Sequence, residues 1–178
     1  MYTNIIFDLK ISYKVKIYMK KYLLLLSVVV LGLSACKKVD FVTEQAAIDD
    51  AKIQAYMTAN NITATKDASG IYYKVLKTGT GAYPTSTAST IQVAYTGKYL
   101  NGTTFDQSSN FVTKLSDTIK GWQIGMLKVN AGTLGVSNSG GRILLIVPSA
   151  LAYGTTGSGA LAANTVLAFT IDLIGVSN

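Results

Sequence analysis

The chain has 178 residues, a formal net charge of +7 at neutral pH, 49% hydrophobic residues, one cysteine and no histidine. That composition excludes Ser-His and Cys-His nucleophiles and the usual zinc sites. The acids are few and scattered, so no carboxylate pair suggests glycoside hydrolysis, and no glycine motif followed by Lys-Ser/Thr marks a phosphate cradle. Residues 1–35 carry five lysines and Asp8, a net +4, which leaves +3 for the remainder. The remainder has no lysine or arginine cluster, so a nucleic-acid partner is not expected. No metal and no cofactor is implied.

Lys20 and Lys21 precede an apolar run, Tyr22 to Leu33. The run is about a dozen residues, against the roughly 20 that a spanning helix needs. A basic start, a short apolar stretch and small residues before a break describe an export signal. The break falls at Leu33-Ser-Ala-Cys36, which looks like a bacterial lipobox and so implies lipidation of Cys36. An ordinary signal peptide with an incidental cysteine is the alternative. Residues 1–18 fit no part of such a signal, whereas Met19-Lys-Lys-Tyr-Leu makes a good start. Residues 1–35 are therefore expected to be an upstream extension plus signal peptide, with Met19 as the true start. A longer signal with an extended basic region is the other reading. Lys37-Lys38 after Cys36 is not an acidic run, which favours an envelope location on the outer membrane, facing the periplasm.

Residues 36–67 read as anchor, linker and a short helix. Thr43 is the expected N-cap, Glu44 lies in the first turn, and Asn60-Asn61 ends the helix. Ile48, Ala51, Tyr56 and Met57 give a partial apolar stripe. The segment reads as a spacer, with a partner-binding helix as the second reading. From 68 to 178 the pattern turns to strands. Ile71–Leu76 and Ile91–Tyr95 alternate, Arg142–Val147 is an apolar run, and Val166–Ile174 sets Leu167, Phe169, Ile171 and Leu173 on one face. Asn101-Gly102 predicts a tight hairpin. Thr118 to about Val129 predicts a second helix. Residues 130–139 read as a loop insertion, with Gly140-Gly141 as the underlying turn. The expected class is α+β: an antiparallel sheet of about five strands wrapped on one short helix, preceded by an N-terminal helix.

Five aromatics and one acid stand beside glycines or at strand ends, where side chains converge on a pocket. They are Tyr95 in Val-Ala-Tyr-Thr-Gly97, Phe105-Asp106, Trp122 in Ile119-Lys-Gly-Trp122, Tyr153 in Ala-Tyr-Gly154, and Phe169. Their order and spacing resemble the FKBP-type peptidyl-prolyl cis-trans isomerases, over about Ser69 to Ile174. The resemblance implies Trp122 as pocket floor and Tyr95, Phe105, Phe169 and Phe111 as walls. It implies Asp106 hydrogen-bonded within the pocket, with Tyr95 the expected partner. The Tyr153 hydroxyl and the Ile119 N–H are implied donors to substrate carbonyls. Thr118 and Leu161 occupy two further substrate-binding positions. The chain departs from the family pattern at Leu161-Ala-Ala163, where Ile-Pro-Pro is favoured. It departs also at Ser158, at Thr170 after Phe169, and at Thr118.

The resemblance implies a prolyl isomerase acting on proline-containing polypeptides during the folding of exported proteins, and the lipobox adds a lipid anchor that holds it at the membrane. The family's macrolide inhibitors are further implied ligands. An FKBP-like binding or chaperone module with little turnover is the alternative, and a structural lipoprotein the third.

Overall fold

The computed structural model describes residues 41–133 and 140–178. Cys36, the signal segment, the expected start at Met19 and residues 134–139 of the expected insertion lie outside the described residues. No helix among the described residues is long and apolar enough to cross a membrane.

Helix α1, Phe41–Ala59, begins two residues before the expected N-cap, so Thr43 sits inside its first turn beside Glu44. Its end follows the sequence. Asn61 takes φ 53°, the Ile62 N–H donates to the Met57 carbonyl at 2.8 Å, and the Asn61 N–H donates to the Thr58 carbonyl at 3.3 Å. That is a Schellman closure with asparagine in the left-handed position.

The buried face of α1 differs from the expected stripe. Ile48 and Ala51 are exposed, while Asp49 and Ile53 are buried and Tyr56 and Met57 partly so. Positions 49, 53 and 56 fall on one helical face, but an acid at its head hides it from a count of apolar residues. Ile53 enters a cluster with Tyr72, Ile146 and Val166, a burial that contributes about 1.5–3 kcal/mol. The helix is therefore part of the packed domain and not a free spacer.

Six strands form one sheet: β1 (Thr65–Lys66), β2 (Tyr72–Lys77), β3 (Thr90–Tyr99), β4 (Thr104–Lys114), β5 (Gly141–Val147) and β6 (Leu167–Ser177). Their order is β1-β2-β5-β6-β3-β4, with every pairing antiparallel. The two strands that the sequence did not mark are the edges. β1 is two residues long, and β4 contains the polar run Asp106-Gln-Ser-Ser-Asn110 and is mostly exposed. An edge strand facing water needs no apolar alternation. β5 reads as a continuous apolar run because both its faces are covered. Ile143, Leu145 and Val147 face the main core, while Ile146 and Leu144 face the α1 cluster.

The β3–β4 connection is a three-residue loop, Leu100–Gly102, instead of a two-residue hairpin. Gly102 has φ 90°, its N–H donates to the Tyr99 carbonyl at 2.9 Å, and the Tyr99 N–H donates to the Thr103 carbonyl at 2.9 Å. The expected second helix is shorter than predicted: α2 spans Lys120–Gly125, between 3₁₀ turns at Leu115–Asp117 and Met126–Lys128. Two glycines in six residues give α2 little propensity of its own. They let it lie close on β5, because a Cβ at Gly121 would overlap Val147 and one at Gly125 would overlap Leu145. Gly141 opens β5 opposite Leu173 and is not a turn residue. The start of the expected insertion is tied into the fold. Asn130 Oδ1 accepts the Gly79 N–H at 2.9 Å, and Ala131 exchanges 2.8 Å backbone bonds with Gly81 and Ala82.

Candidate functional site

The inner face of β3, β4 and β6 meets α2 at a group of aromatic rings. Trp122, the third residue of α2, lies edge-on to Tyr95 (centroids 5.0 Å apart, 83° between planes) and to Phe169 (5.5 Å, 88°). Phe111 meets the other side of Tyr95 at 5.9 Å, and Phe105 backs Phe169 at 5.7 Å. Edge-to-face pairs of this kind place the positive ring edge on the negative face. Trp122 thereby becomes a rigid floor between two walls.

Regular alternation would send Phe105 and Asp106 to opposite faces of β4. The register prevents this. Gly97 pairs with Asp106 but Lys98 pairs with Thr104, leaving Phe105 as an extra residue. A second irregularity pairs Val93 with Phe111 and Tyr95 with Ser108. These bulges bring odd-numbered Phe111 and even-numbered Asp106 to the face that carries Val93, Tyr95 and Gly97. At Gly97 a Cβ would stand 2.7 Å from Phe105 Cζ and 2.9 Å from Phe169 Cε1, so only glycine leaves room for both rings.

The result is a cavity of about 380 Å³ lined by Tyr95, Phe111, Trp122 and Phe169 from the sheet and helix. Thr118 and Ile119 line it from the segment before α2, Tyr153 from the loop after β5, and Asp106 and Asp117 supply its two acids. The Tyr95 hydroxyl donates to Asp106 Oδ2 at 2.7 Å. Burial raises the Tyr95 phenol well above the ordinary tyrosine range, and the Asp106 carboxylate that accepts its proton raises it further. The Tyr153 phenol is raised too, first by burial and then by the charge of Asp106. Both hydroxyls therefore remain donors at any neutral pH.

Among the described residues, the Trp122 Nε1–H on the cavity floor is buried without a partner, and two donors of the rim residues also lack protein partners. The Ile119 carbonyl accepts the Trp122 and Gln123 N–H groups at 3.0 and 3.1 Å, whereas its own N–H meets no acceptor among the described residues. Tyr153 is 36% exposed, and its hydroxyl has no hydrogen-bond partner among the described residues. The Ile119 segment is held still by Gln123, whose Nε2 donates to the carbonyls of Ser116 (3.0 Å) and Thr118 (2.7 Å). Thr118 Oγ1 adds a bond to the Leu115 carbonyl at 2.7 Å.

Of the residues singled out in the sequence, Phe105 and Leu161 stand outside the cavity lining. Phe105 is occupied by Phe169, Gly97 and Tyr99, 5.4 Å away. Leu161 closes a tight turn with Ser158, exchanging backbone bonds of 3.0 and 2.8 Å, and its side chain packs on the core. Two residues were missed. Asp117 lines the cavity, and Gln123, only 8% exposed, braces its rim. An isolated acid and a helical glutamine carry no signal that a sequence reading could use.

An antiparallel sheet closed on a short helix, with a tryptophan floor at the helix start, defines a small α+β domain with one aromatic pocket. The profile of the FKBP-type peptidyl-prolyl cis-trans isomerases matches residues 82–174. An FKBP-type peptidyl-prolyl cis-trans isomerase FkpA of Aeromonas hydrophila is 33% identical over 152 residues, covering 78% of this chain and 53% of that protein. The peptidyl-prolyl cis-trans isomerase Mip of Coxiella burnetii is 36% identical over 132 residues, covering 70% and 54%. A crystal structure of a peptidyl-prolyl cis-trans isomerase from Pseudomonas syringae pv. tomato superimposes with a TM-score of 0.61 at 30% identity, covering 79% of this chain and 99% of that one. The chain belongs to the FKBP-type peptidyl-prolyl cis-trans isomerase family. It spans about half the length of the curated relatives it matches.

Proposed function

We propose that this chain catalyses cis-trans isomerisation of X-Pro bonds in polypeptides. The observation that carries this is the convergence of Trp122, Tyr95, Phe169 and Phe111 on one small cavity with two unpartnered donors at its rim. An X-Pro bond favours trans by only about 0.5–1 kcal/mol, but its rotation faces a barrier of roughly 18–20 kcal/mol. In the twisted transition state the amide loses resonance, and its carbonyl oxygen carries less charge than in the planar ground state. An apolar cavity that holds the prolyl ring against Trp122 therefore binds the twisted form better than the planar one. Tyr153 and the Ile119 N–H would hold flanking substrate carbonyls and orient the bond for rotation. Lowering the barrier by about 7 kcal/mol gives roughly five powers of ten in rate.

The deciding measurement is the cis-to-trans rate of a proline tetrapeptide with the full chain in detergent. A second-order acceleration proportional to enzyme concentration supports catalysis. Binding of an unfolded proline-containing chain with no acceleration would instead mean a holding module. Leu161-Ala-Ala163, where the family favours Ile-Pro-Pro, and the loop at 130–139 support that second reading. Macrolide inhibitors of the family would compete for the same cavity.

The proposal extends to location. Cys36 ends a lipobox-like segment, which supports an exported protein tethered by lipid at the outer membrane and facing the periplasm, where unfolded exported chains are the substrates. Its parts would be a signal over 1–35, an anchor and helix over 36–67, and a catalytic domain over 68–178 in which 130–139 is inserted. Radiolabelled fatty acid should enter the wild type and not Cys36→Ser; equal labelling of both would remove the anchor.

A further inference from the structure

Asp49 is the one carboxylate among the described residues that is fully buried, at 1% exposure, and it lies far from the cavity lining in both sequence and element. A buried carboxylate is costly unless hydrogen bonds replace its water. Three donors do so here. Ser149 gives both its N–H (2.8 Å) and its Oγ–H (2.6 Å) to Asp49 Oδ2, and Gln45 Nε2 donates to Oδ1 at 2.8 Å. On the same helix, Ile53 enters the apolar cluster with Tyr72, Ile146 and Val166. An alanine at 49 would leave the buried Ser149 N–H and hydroxyl without their acceptor, so the acid is matched to Ser149 and its reason is to be sought there.

The reason lies in what Ser149 holds. Ser149 opens the 3₁₀ turn Ser149–Leu151 that follows β5. Its carbonyl accepts the Ala152 N–H at 3.0 Å and the Gly154 N–H at 2.8 Å, the two amides that flank Tyr153. A continuous path of bonds thus runs from the α1 carboxylate through one serine to the backbone on both sides of the tyrosine. Beyond that point the loop is closed by bonds of its own, from the Gly157 N–H to the Tyr153 carbonyl at 3.1 Å and from the Asn164 N–H to the Gly154 carbonyl at 2.8 Å. Gly154, Gly157 and Gly159 all take positive φ, and Tyr153 itself is more than a third exposed.

We propose that Asp49 is a positioning residue for the reaction: through Ser149 it sets the height and direction of the Tyr153 hydroxyl over the cavity. The N-terminal helix is then a working part of the site. The inference rests on the isomerase reading, and its test separates the two.

Asp49→Ala and the milder Ser149→Ala, which keeps the backbone donor, are made in the full chain, each with and without Tyr153→Phe. Two quantities are read: kcat/KM on a proline tetrapeptide, and hydrogen exchange of the Ala152 and Gly154 amides with those of β6 as internal standard. With Tyr153 present, Asp49→Ala should lower kcat/KM about five-fold and Ser149→Ala about two-fold. In the Tyr153→Phe background both losses should shrink below about two-fold, because the positioned group is gone. The two amides should exchange about ten-fold faster in Asp49→Ala, while those of β6 stay unchanged. Equal losses in both backgrounds, or exchange that rises everywhere alike, would make Asp49 a packing residue and overturn the proposal. Unchanged exchange at 152 and 154 would overturn it as well. A wild type without turnover would defeat the isomerase reading, and the exchange measurement would then decide the Asp49–Ser149–loop linkage alone.

Discussion

The Tyr95 hydroxyl reaches Asp106 Oδ2 at 2.7 Å although the two residues are not cross-strand partners: Tyr95 stands opposite Ser108 and Asp106 opposite Gly97. A diagonal pair of this kind is within reach of a long side chain. Gly97 offers Asp106 no side chain, so the tyrosine two residues back becomes its partner. The bond fixes the Tyr95 ring against Trp122 and leaves the carboxylate charge in the cavity lining, where it acts on Tyr153.

Tyr153→Phe keeps the ring and removes a hydroxyl worth about 0.5–1.5 kcal/mol to a bound carbonyl. It should lower kcat/KM by about two- to ten-fold. Asp106→Val leaves a side chain of similar size and takes the acceptor from Tyr95, so it should cost at least as much activity. The melting temperature should move by only a few degrees in either variant. Full activity with unchanged stability in both would show that the pocket is elsewhere, and unfolding of both would show that the two residues are core.

The pH–rate profile should be flat from about pH 6 to 9. No histidine is present to titrate near neutrality. The two phenols at the cavity are both raised above the ordinary tyrosine value, Tyr95 by burial and Asp106, Tyr153 by burial and the Asp106 charge. A raised phenol stays protonated longer as pH increases, so neither donor is lost within this range. A bell with a limb near pH 7 in kcat/KM would point to acid–base chemistry and defeat the transition-state argument.

How far the sequence revealed the fold depends on what each residue faces. β6 was legible because Leu167, Phe169, Ile171 and Leu173 face the core while Thr170 and Asp172 do not. Trp122 and Tyr153 were legible because each sits beside a glycine, whereas Asp117, which also lines the cavity, carried no such mark. β4 was not legible, because its exposed edge carries Gln107, Ser109 and Asn110 and the bulge at Phe105 breaks the period of two. The docking of α1 was hidden for a different reason. Its buried stripe begins with Asp49, and a charged residue is buried only when donors distant in sequence, here Ser149, are brought to it.

Gly97→Ala should damage the pocket from behind. The added methyl would lie 2.7 Å from Phe105 Cζ and 2.9 Å from Phe169 Cε1, closer than real side chains approach. Phe105 is the more movable ring, because it sits on an edge-strand bulge, whereas Phe169 is locked against Trp122. The expected cost is about 1–3 kcal/mol of stability, read as a lowered denaturant midpoint. A double variant with Phe105→Leu should recover part of it, since the smaller side chain yields space. No recovery would place the clash on Phe169 instead.

Stability at low pH should report the ion pair between Asp67 and Lys128, whose Nζ lies 2.7 Å from Asp67 Oδ2 and 4.8 Å from the centre of the Tyr73 ring. Lys128, and then the Ser69 N–H at 2.9 Å, hold the Asp67 carboxyl at about 2, below its usual value near 3.8. A carboxyl with a lowered folded pKa binds fewer protons in the native state than in the unfolded one. Its contribution is therefore complete above about pH 4 and fades as pH falls toward 2. Asp67→Asn should lower the melting temperature at pH 7, and the difference from wild type should close between about pH 4 and pH 2. The pair also ties the turn before β2 to the end of the 3₁₀ turn that follows α2, the helix that carries Trp122. Tm measured across pH for both proteins is the check. A gap that persists unchanged down to pH 2 would show that the asparagine disturbs packing and that the ion pair adds nothing to stability.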